Sequence, residues 1–328
     1  MLILIIIAII VIVWFCVGYL DFSFGKKPIW GATFSQIYVE YLGLDWKQSY
    51  LALLDDMQVK SLRLIAYWSV SENPDDKFNF TDIDWQVNEA AKRNIKVILT
   101  IGYKAPRWPE CHNPDWANSL TQDQLQAETL EFVIAAVNHF KNNPAISMWQ
   151  VENEPLITFF GKCPQPDRDF LKKELALVKS LDISRPIMLT DSGELSWWIK
   201  IGGMSDVLGT TLYRIVWHPW LGSIKHWQYT PFYYWIRAKL NEKIFGAKKV
   251  IIAEMQAEAW GSKNRSLPQM TVSEQLEHFS VQDLKNNMKF ARKTGLNEIY
   301  LWGVEWAYWL KIQHNDPRYW DAMKQEIQ

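Results

Sequence analysis

A single closed (β/α)8 barrel behind one N-terminal transmembrane helix is the fold this sequence predicts. Three observations carry the prediction: eight short runs rich in β-branched residues alternate with helical patterns, groups suited to chemistry collect at the ends of those runs, and a charge-free apolar stretch comes first. The chain has 328 residues, 48% of them apolar, enough to bury one large core. Its 35 lysines and arginines nearly balance 36 aspartates and glutamates, for a formal charge of -1, and no basic stripe tracks a phosphate backbone. Nucleic acid is therefore not an expected partner.

The opening stretch "MLILIIIAIIVIVWFCVGYL" would make a helix of ~30 Å, the thickness of a bilayer's hydrocarbon core. It lacks the basic start of a signal peptide, and Cys16 and Gly18 make a poor cleavage site, so an uncleaved anchor over residues 1–20 is expected, with residues 21–28 as a linker and 29–328 as the barrel. Lys26 and Lys27 weakly favour a cytoplasmic flank, a bias that a large domain can override.

Strands are expected at "IWGATF", "SLRLIAY", "KVILTIG", "ISMWQVE", "PIMLTD", "VLGTTLY", "VIIAEM" and "EIYLWG", each with a helical crossover to the next. In one crossover Thr121 and Gln124 have capping-box spacing ahead of a long apolar helix that stops before Pro144; in another Leu171, Leu175 and Val178 recur at helical spacing. An open doubly wound sheet is the competing arrangement, but no glycine-rich dinucleotide fingerprint follows the first strand.

Several strands begin with cations, at Lys60, Lys96, Arg185 and Lys248, and end with Asn153 and Glu154, Asp191, Tyr213, Glu254 or Trp302. Active sites of such barrels lie at the carboxyl ends of the strands. With "WQVENEP" closing the fourth strand and "VIIAEMQAEAWG" the seventh, the sequence resembles the clan of retaining glycoside hydrolases built on this barrel, and "SLRLIAYWSV" through "IGYKAPRWP" is similar to the second and third strands of its family 42 β-galactosidases and family 5 endoglycanases. The resemblance implies that Glu154 is the acid/base and Glu254 the nucleophile. It also implies that Arg63 lies near the nucleophile, that Tyr213 hydrogen-bonds it, and that Trp302 floors the subsite of the cleaved sugar.

The chemistry agrees: one carboxylic acid protonates the leaving oxygen while a carboxylate ~5 to 5.5 Å away attacks the anomeric carbon, or ~6.5 to 9.5 Å away with a water between if the enzyme inverts. Asn153, Trp68, His112 and Glu258 are further candidates for contact with a carbohydrate substrate, and Glu258 is the alternative nucleophile if the strand ends elsewhere. Asp191 and Glu194 either bind sugar hydroxyls or belong to a capped turn. No histidine has metal-ligand spacing, and neither metal nor other cofactor is expected. The 19 tryptophans suit both a core and sugar stacking. A non-catalytic, membrane-tethered glycan-binding barrel is the rival reading, since fold does not fix function. Cys111 and Cys163 follow the third and fourth strands, so their loops rise on one face and a disulfide outside the cytoplasm is expected; two free thiols are the alternative. A monomer is expected.

Overall fold

The computed structural model describes residues 14, 16–73, 77–158, 161, 163–263 and 265–328. Eight parallel strands close a barrel in sequential order: β1 Ile29–Thr33, β2 Ser61–Ile65, β3 Lys96–Ile101, β4 Ile146–Val151, β5 Ile187–Asp191, β6 Val207–Leu212, β7 Lys249–Gln256 and β8 Glu298–Trp302, with β8 pairing back onto β1. The competing open sheet is excluded by that last pairing. Most of the apolar segment read as a membrane helix, residues 1–13 and 15, lies outside the described residues, and no helix among the described residues is long and apolar enough to cross a membrane. Its described end packs on the barrel, where Trp14 meets Phe232 edge-on at 5.9 Å and Phe22 stacks on Trp235 at 5.1 Å.

The longer outer helices are α1 Trp46–Asp55, α2 Thr81–Lys92, α3 Gln122–Phe140, α4 Arg168–Leu181, α5 Pro231–Leu240, α6 Val281–Lys293, α7 Val304–Gln313 and α8 Arg318–Ile327. Local chemistry starts them. Thr121 and Gln124 form the reciprocal capping box of α3, and Asp167 accepts from the backbone N–H groups of Asp169 and Phe170 at the head of α4. Leu171, Leu175 and Val178 form the buried face of α4. One crossover departs from the expectation: residues 192–206, between β5 and β6, contain turns and no helix. Backbone and side-chain bonds to Asp191 and Ser192 organise that loop locally, so helical capping has nothing to act on.

Alternation along each strand sorts the barrel into layers. Ile98, Met148, Met188, Val207, Ile251 and Tyr300 fill the lower interior. Two residues further along their strands, Thr100, Gln150 and Thr190 make the next inward layer polar, joined by Arg63 of β2. In β7 strict alternation would send Met255 inward after Ile251 and Ala253. Instead the register with β6 shifts between Ile252 and Glu254. This bulge places Ala253 and Glu254 on the inner side in succession and turns Met255 to the outer core.

Candidate active site

The run after β4 turns twice through left-handed backbone, at Glu152 (φ 59°) and Glu154 (φ 45°), conformations that cost a non-glycine residue about 1 kcal/mol or more. Those turns separate the clustered carboxylates. Glu152 points back under the β3 loop and accepts from the backbone N–H groups of Tyr103 (2.7 Å) and Lys104 (2.5 Å). Residue 102 must be glycine to let it pass: with φ 107°, a Cβ there would sit 2.3 Å from the Glu152 carboxylate. Glu154 turns to the mouth instead, held by its own N–H donating to Thr190 Oγ1 (2.8 Å) and by Lys104 Nζ donating to its carbonyl (2.9 Å).

Arg63, fully buried, ties the two halves of the site together. Its Nε donates to Gln150 (2.7 Å), one terminal nitrogen to Glu254 Oε1 (2.8 Å), and the other to Asn153 Oδ1 (2.7 Å). The Tyr213 hydroxyl donates to the second oxygen of Glu254 at 2.9 Å. Tyr213 is itself positioned by Glu194, which accepts from its backbone N–H (2.8 Å) and from Tyr234 (2.6 Å). Burial pushes the Glu154 carboxyl well above the usual carboxylate range; Glu254, Glu110 and Asp191 push the same way and Lys104 opposes. Glu154 thus favours its protonated form beside Glu254, whose two oxygens accept from Arg63 and Tyr213.

The remaining candidates divide. Glu258 lies at the mouth, but one of its oxygens is ion-paired with Arg107, and burial raises its pKa. Arg107 also pairs with Glu305 (2.9 Å) and lies between the rings of Tyr38 (3.8 Å) and Trp302 (4.1 Å), so a guanidinium covers a face of the indole expected to meet sugar. His112 is buried, bonded through Nε2 to the Arg107 carbonyl (2.9 Å), and its pKa is lowered to about 4 by burial; it braces the β3 loop. Trp68 is fully buried against Phe132 of α3 and donates to Glu72, away from the mouth. Asp191 caps its own turn through Ser192 and Ser196. A disulfide joins Cys111 to Cys163, with Cα atoms 5.5 Å apart. Among the described residues no cluster of three or more histidine, cysteine or acidic side chains could hold a metal.

One mouth residue escaped the sequence reading. Glu110 lies close enough to Asn153, Glu154 and Glu254 to interact with them electrostatically. Only its place in "PRWPEC", directly before a loop cysteine, could have pointed to it.

A parallel eight-stranded barrel with two buried glutamates at the carboxyl ends of β4 and β7 is an architecture suited to hydrolysis of glycosidic bonds. Comparison with known proteins points the same way. Residues 85–229 match the family described as glycosyl hydrolases family 2, TIM barrel domain. No curated protein matches the chain in sequence. Among solved structures, a glycosylated family 10 endo-β-1,4-xylanase from Gloeophyllum trabeum is 15% identical with a TM-score of 0.57, the match covering 94% of this chain and 98% of that one. A family 5 subfamily 18 protein from Streptomyces cattleya, in complex with GlcNAc, is 11% identical with a TM-score of 0.56, covering 84% and 70%. A family 2 β-galacturonidase from Eisenbergiella tayi, bound to glycerol, is 16% identical with a TM-score of 0.50, covering 84% of this chain and 43% of that one. In its galacturonate-bound form the match spans 40% of that protein's length. Identities this low speak for a shared fold. The family match, with the Gloeophyllum trabeum xylanase and the family 5 neighbour, supports a glycosidase.

Proposed function

We propose that the chain is a retaining β-glycoside hydrolase tethered to a membrane, with Glu154 as acid/base and Glu254 as nucleophile. In the first displacement Glu154 gives its proton to the glycosidic oxygen while a carboxylate oxygen of Glu254 bonds the anomeric carbon; the old C–O bond breaks and its electron pair leaves with the protonated aglycone. In the second, ionised Glu154 takes a proton from water, the water oxygen bonds the anomeric carbon, and the pair of the sugar–Glu254 bond returns to the carboxylate. The observation that carries this reading is the guanidinium of Arg63, shared between Glu254 and the Asn153 next to Glu154. It ties Glu254 to the loop that carries Glu154, whose carboxyl burial pushes toward its protonated form.

The substrate is a β-linked glycoside or polysaccharide. Residues 1–20 serve as the anchor, 21–28 as the linker and 29–328 as the catalytic barrel, acting as a monomer outside the cytoplasm. The charge-free opening stretch supports the tether, and the Cys111–Cys163 bond supports an oxidising compartment.

Chemical rescue tests the assignment. Glu254→Ala should abolish turnover of an aryl β-glycoside that the parent cleaves, and azide should restore it with inversion at the anomeric carbon. Glu154→Ala should retain activity on substrates with good leaving groups, which need little protonation. Normal activity in both variants contradicts the proposal, and a parent that binds β-glycans without cleaving any aryl glycoside favours a binding barrel.

A further inference from the structure

The loop between β3 and the disulfide is built to aim a third carboxyl into the mouth. Arg107 (φ 80°) and Glu110 (φ 75°) both sit in left-handed backbone. Neighbouring bonds hold that conformation: the Glu110 N–H donates to the Arg107 carbonyl (2.8 Å), the Ala105 N–H to the Glu110 carbonyl (2.7 Å), and Cys111 is fixed by its bond to Cys163. From the other side the β4 loop closes on Glu110 at Gly161, where a Cβ would lie 2.6 Å from the Glu110 side chain and from the Pro109 carbonyl. Backbone strain maintained by such bracing is a mark of functional sites.

The carboxyl so placed is incompletely used. Asn153, whose Oδ1 is occupied by Arg63, lies beside Glu110, and Glu110 Oε2 is buried with no partner among the described residues. A buried oxygen left without a donor calls for one in the working complex. Burial holds the Glu110 pKa up to about 7; Glu254 adds to the rise, and Lys104, Asn153 and Arg63 oppose it.

Among the described residues, Arg63, Lys104 and Arg107 lie beside these carboxyls with their terminal nitrogens engaged. All three guanidinium nitrogens of Arg63 donate to protein groups, and Lys104 Nζ donates to the carbonyls of Glu154 and Ile157, both at 2.9 Å. Arg107 is ion-paired to two glutamates, and its faces are covered by two rings. A sugar bearing a carboxylate would enter beside Glu110, Glu154, Glu254 and Glu258 with no unpaired terminal guanidinium or ammonium group to meet it among these residues.

Resting on the glycosidase reading above, we propose that Glu110 is a specificity residue: its free Oε2 accepts a hydrogen bond from a hydroxyl of the sugar held between Glu154 and Glu254, and its charge selects neutral sugars over uronic acids. The test uses 4-nitrophenyl β-glycosides in matched pairs, glucoside against glucuronide and galactoside against galacturonide, with the full chain in detergent at pH 8, above the Glu110 pKa of about 7. The parent should prefer the neutral member of whichever pair it cleaves. Glu110→Gln should lose about 10- to 100-fold in kcat/KM on that neutral substrate, the span expected for a hydrogen bond to a charged acceptor, and should narrow the preference over the uronide. Glu110→Asp, which keeps the charge but withdraws the oxygen, should lose activity on the neutral sugar while keeping the preference, and it serves if the glutamine variant does not fold. Preference for a uronide in the parent, or unchanged kcat/KM in a folded Glu110→Gln variant, overturns the proposal. If Glu254→Ala shows azide rescue while Glu110→Gln behaves as the parent, or the parent cleaves other β-glycosides but no member of either pair, only this inference falls; a parent that cleaves no aryl β-glycoside and no β-linked polysaccharide overturns it together with the glycosidase reading.

Discussion

Replacing Arg63 by lysine separates the charge of the guanidinium from its fork. A lysine can still meet Glu254, but one ammonium on a flexible stem cannot reach Gln150 and Asn153 as well. The structure sets the size of the loss. Gln150 Oε1 keeps the Thr100 hydroxyl (3.1 Å), and Asn153 Oδ1 keeps the Thr190 hydroxyl (3.0 Å), so neither oxygen is orphaned. Each lost bond then falls at the bottom of the range for a charged donor, ~1.5 kcal/mol, and Arg63→Lys should cost ~3 kcal/mol in total. Arg63→Met removes the charge too and leaves Glu254, buried, with Tyr213 as its remaining donor among these bonds; loss of one partner of a buried pair costs ~3 to 5 kcal/mol. Urea unfolding at pH 7, followed by tryptophan fluorescence, ranks the three proteins. Equal stability of Arg63→Met and the parent would refute the argument, as would a lysine variant as damaged as the methionine one.

Three further outcomes follow from the same structure. Opening the Cys111–Cys163 bond, by Cys111→Ser with Cys163→Ser, releases a loop with a sequence separation of 52 and should lower stability by ~4 kcal/mol in the chain-entropy model, read as a fall in the urea midpoint. Gly102→Ala forces a Cβ to 2.3 Å from the Glu152 carboxylate at φ 107°, so a loss above ~2 kcal/mol is expected; a thermal midpoint equal to the parent's would show that the β3 loop yields easily. Burial raises the Glu174 carboxyl, next to Glu152, well above the usual range. A carboxyl whose folded pKa exceeds its unfolded value, ~4.3 for glutamate, contributes stability below the unfolded value and loses it as pH rises toward the folded one. Glu174→Gln should therefore gain stability relative to the parent between pH 5 and 8, whereas a difference that stays constant with pH counts against the buried pair.

Strand positions were readable because strands buried on both faces need continuous apolar β-branched runs, and all eight runs became barrel strands. Cys111 and Cys163 could be paired once both loops were assigned to one face. The helix-free crossover at 192–206 was not readable, since its turns depend on serines bonding backbone only in the folded loop. Neither was the bulge at Ala253. Register belongs to two strands, and a single-strand reading by strict alternation gives Glu254 the wrong face. Arg63, Asn153, Tyr213, Glu154 and Glu254 converge as strand-end residues should. Trp68 and His112 do not join them, because one packs into the core between strand and helix and the other braces a loop. Glu110 stayed hidden because its aim depends on left-handed backbone at Arg107 and Glu110 and on the close approach of Gly161 from the next loop. Those features arise from contacts between distant segments, and no local pattern in "PRWPEC" encodes them.

Trapping a covalent glycosyl-enzyme separates double displacement on Glu254 from every other course of hydrolysis. A 2-deoxy-2-fluoro β-glycosyl fluoride of a sugar the enzyme cleaves slows both displacements and lets the glycosyl-enzyme accumulate. Peptide mapping by mass spectrometry should place one sugar on the peptide carrying Glu254, with the modification on that side chain and none in Glu254→Ala. A label on Glu258 instead, or turnover with inversion and no labelled protein, would contradict the account.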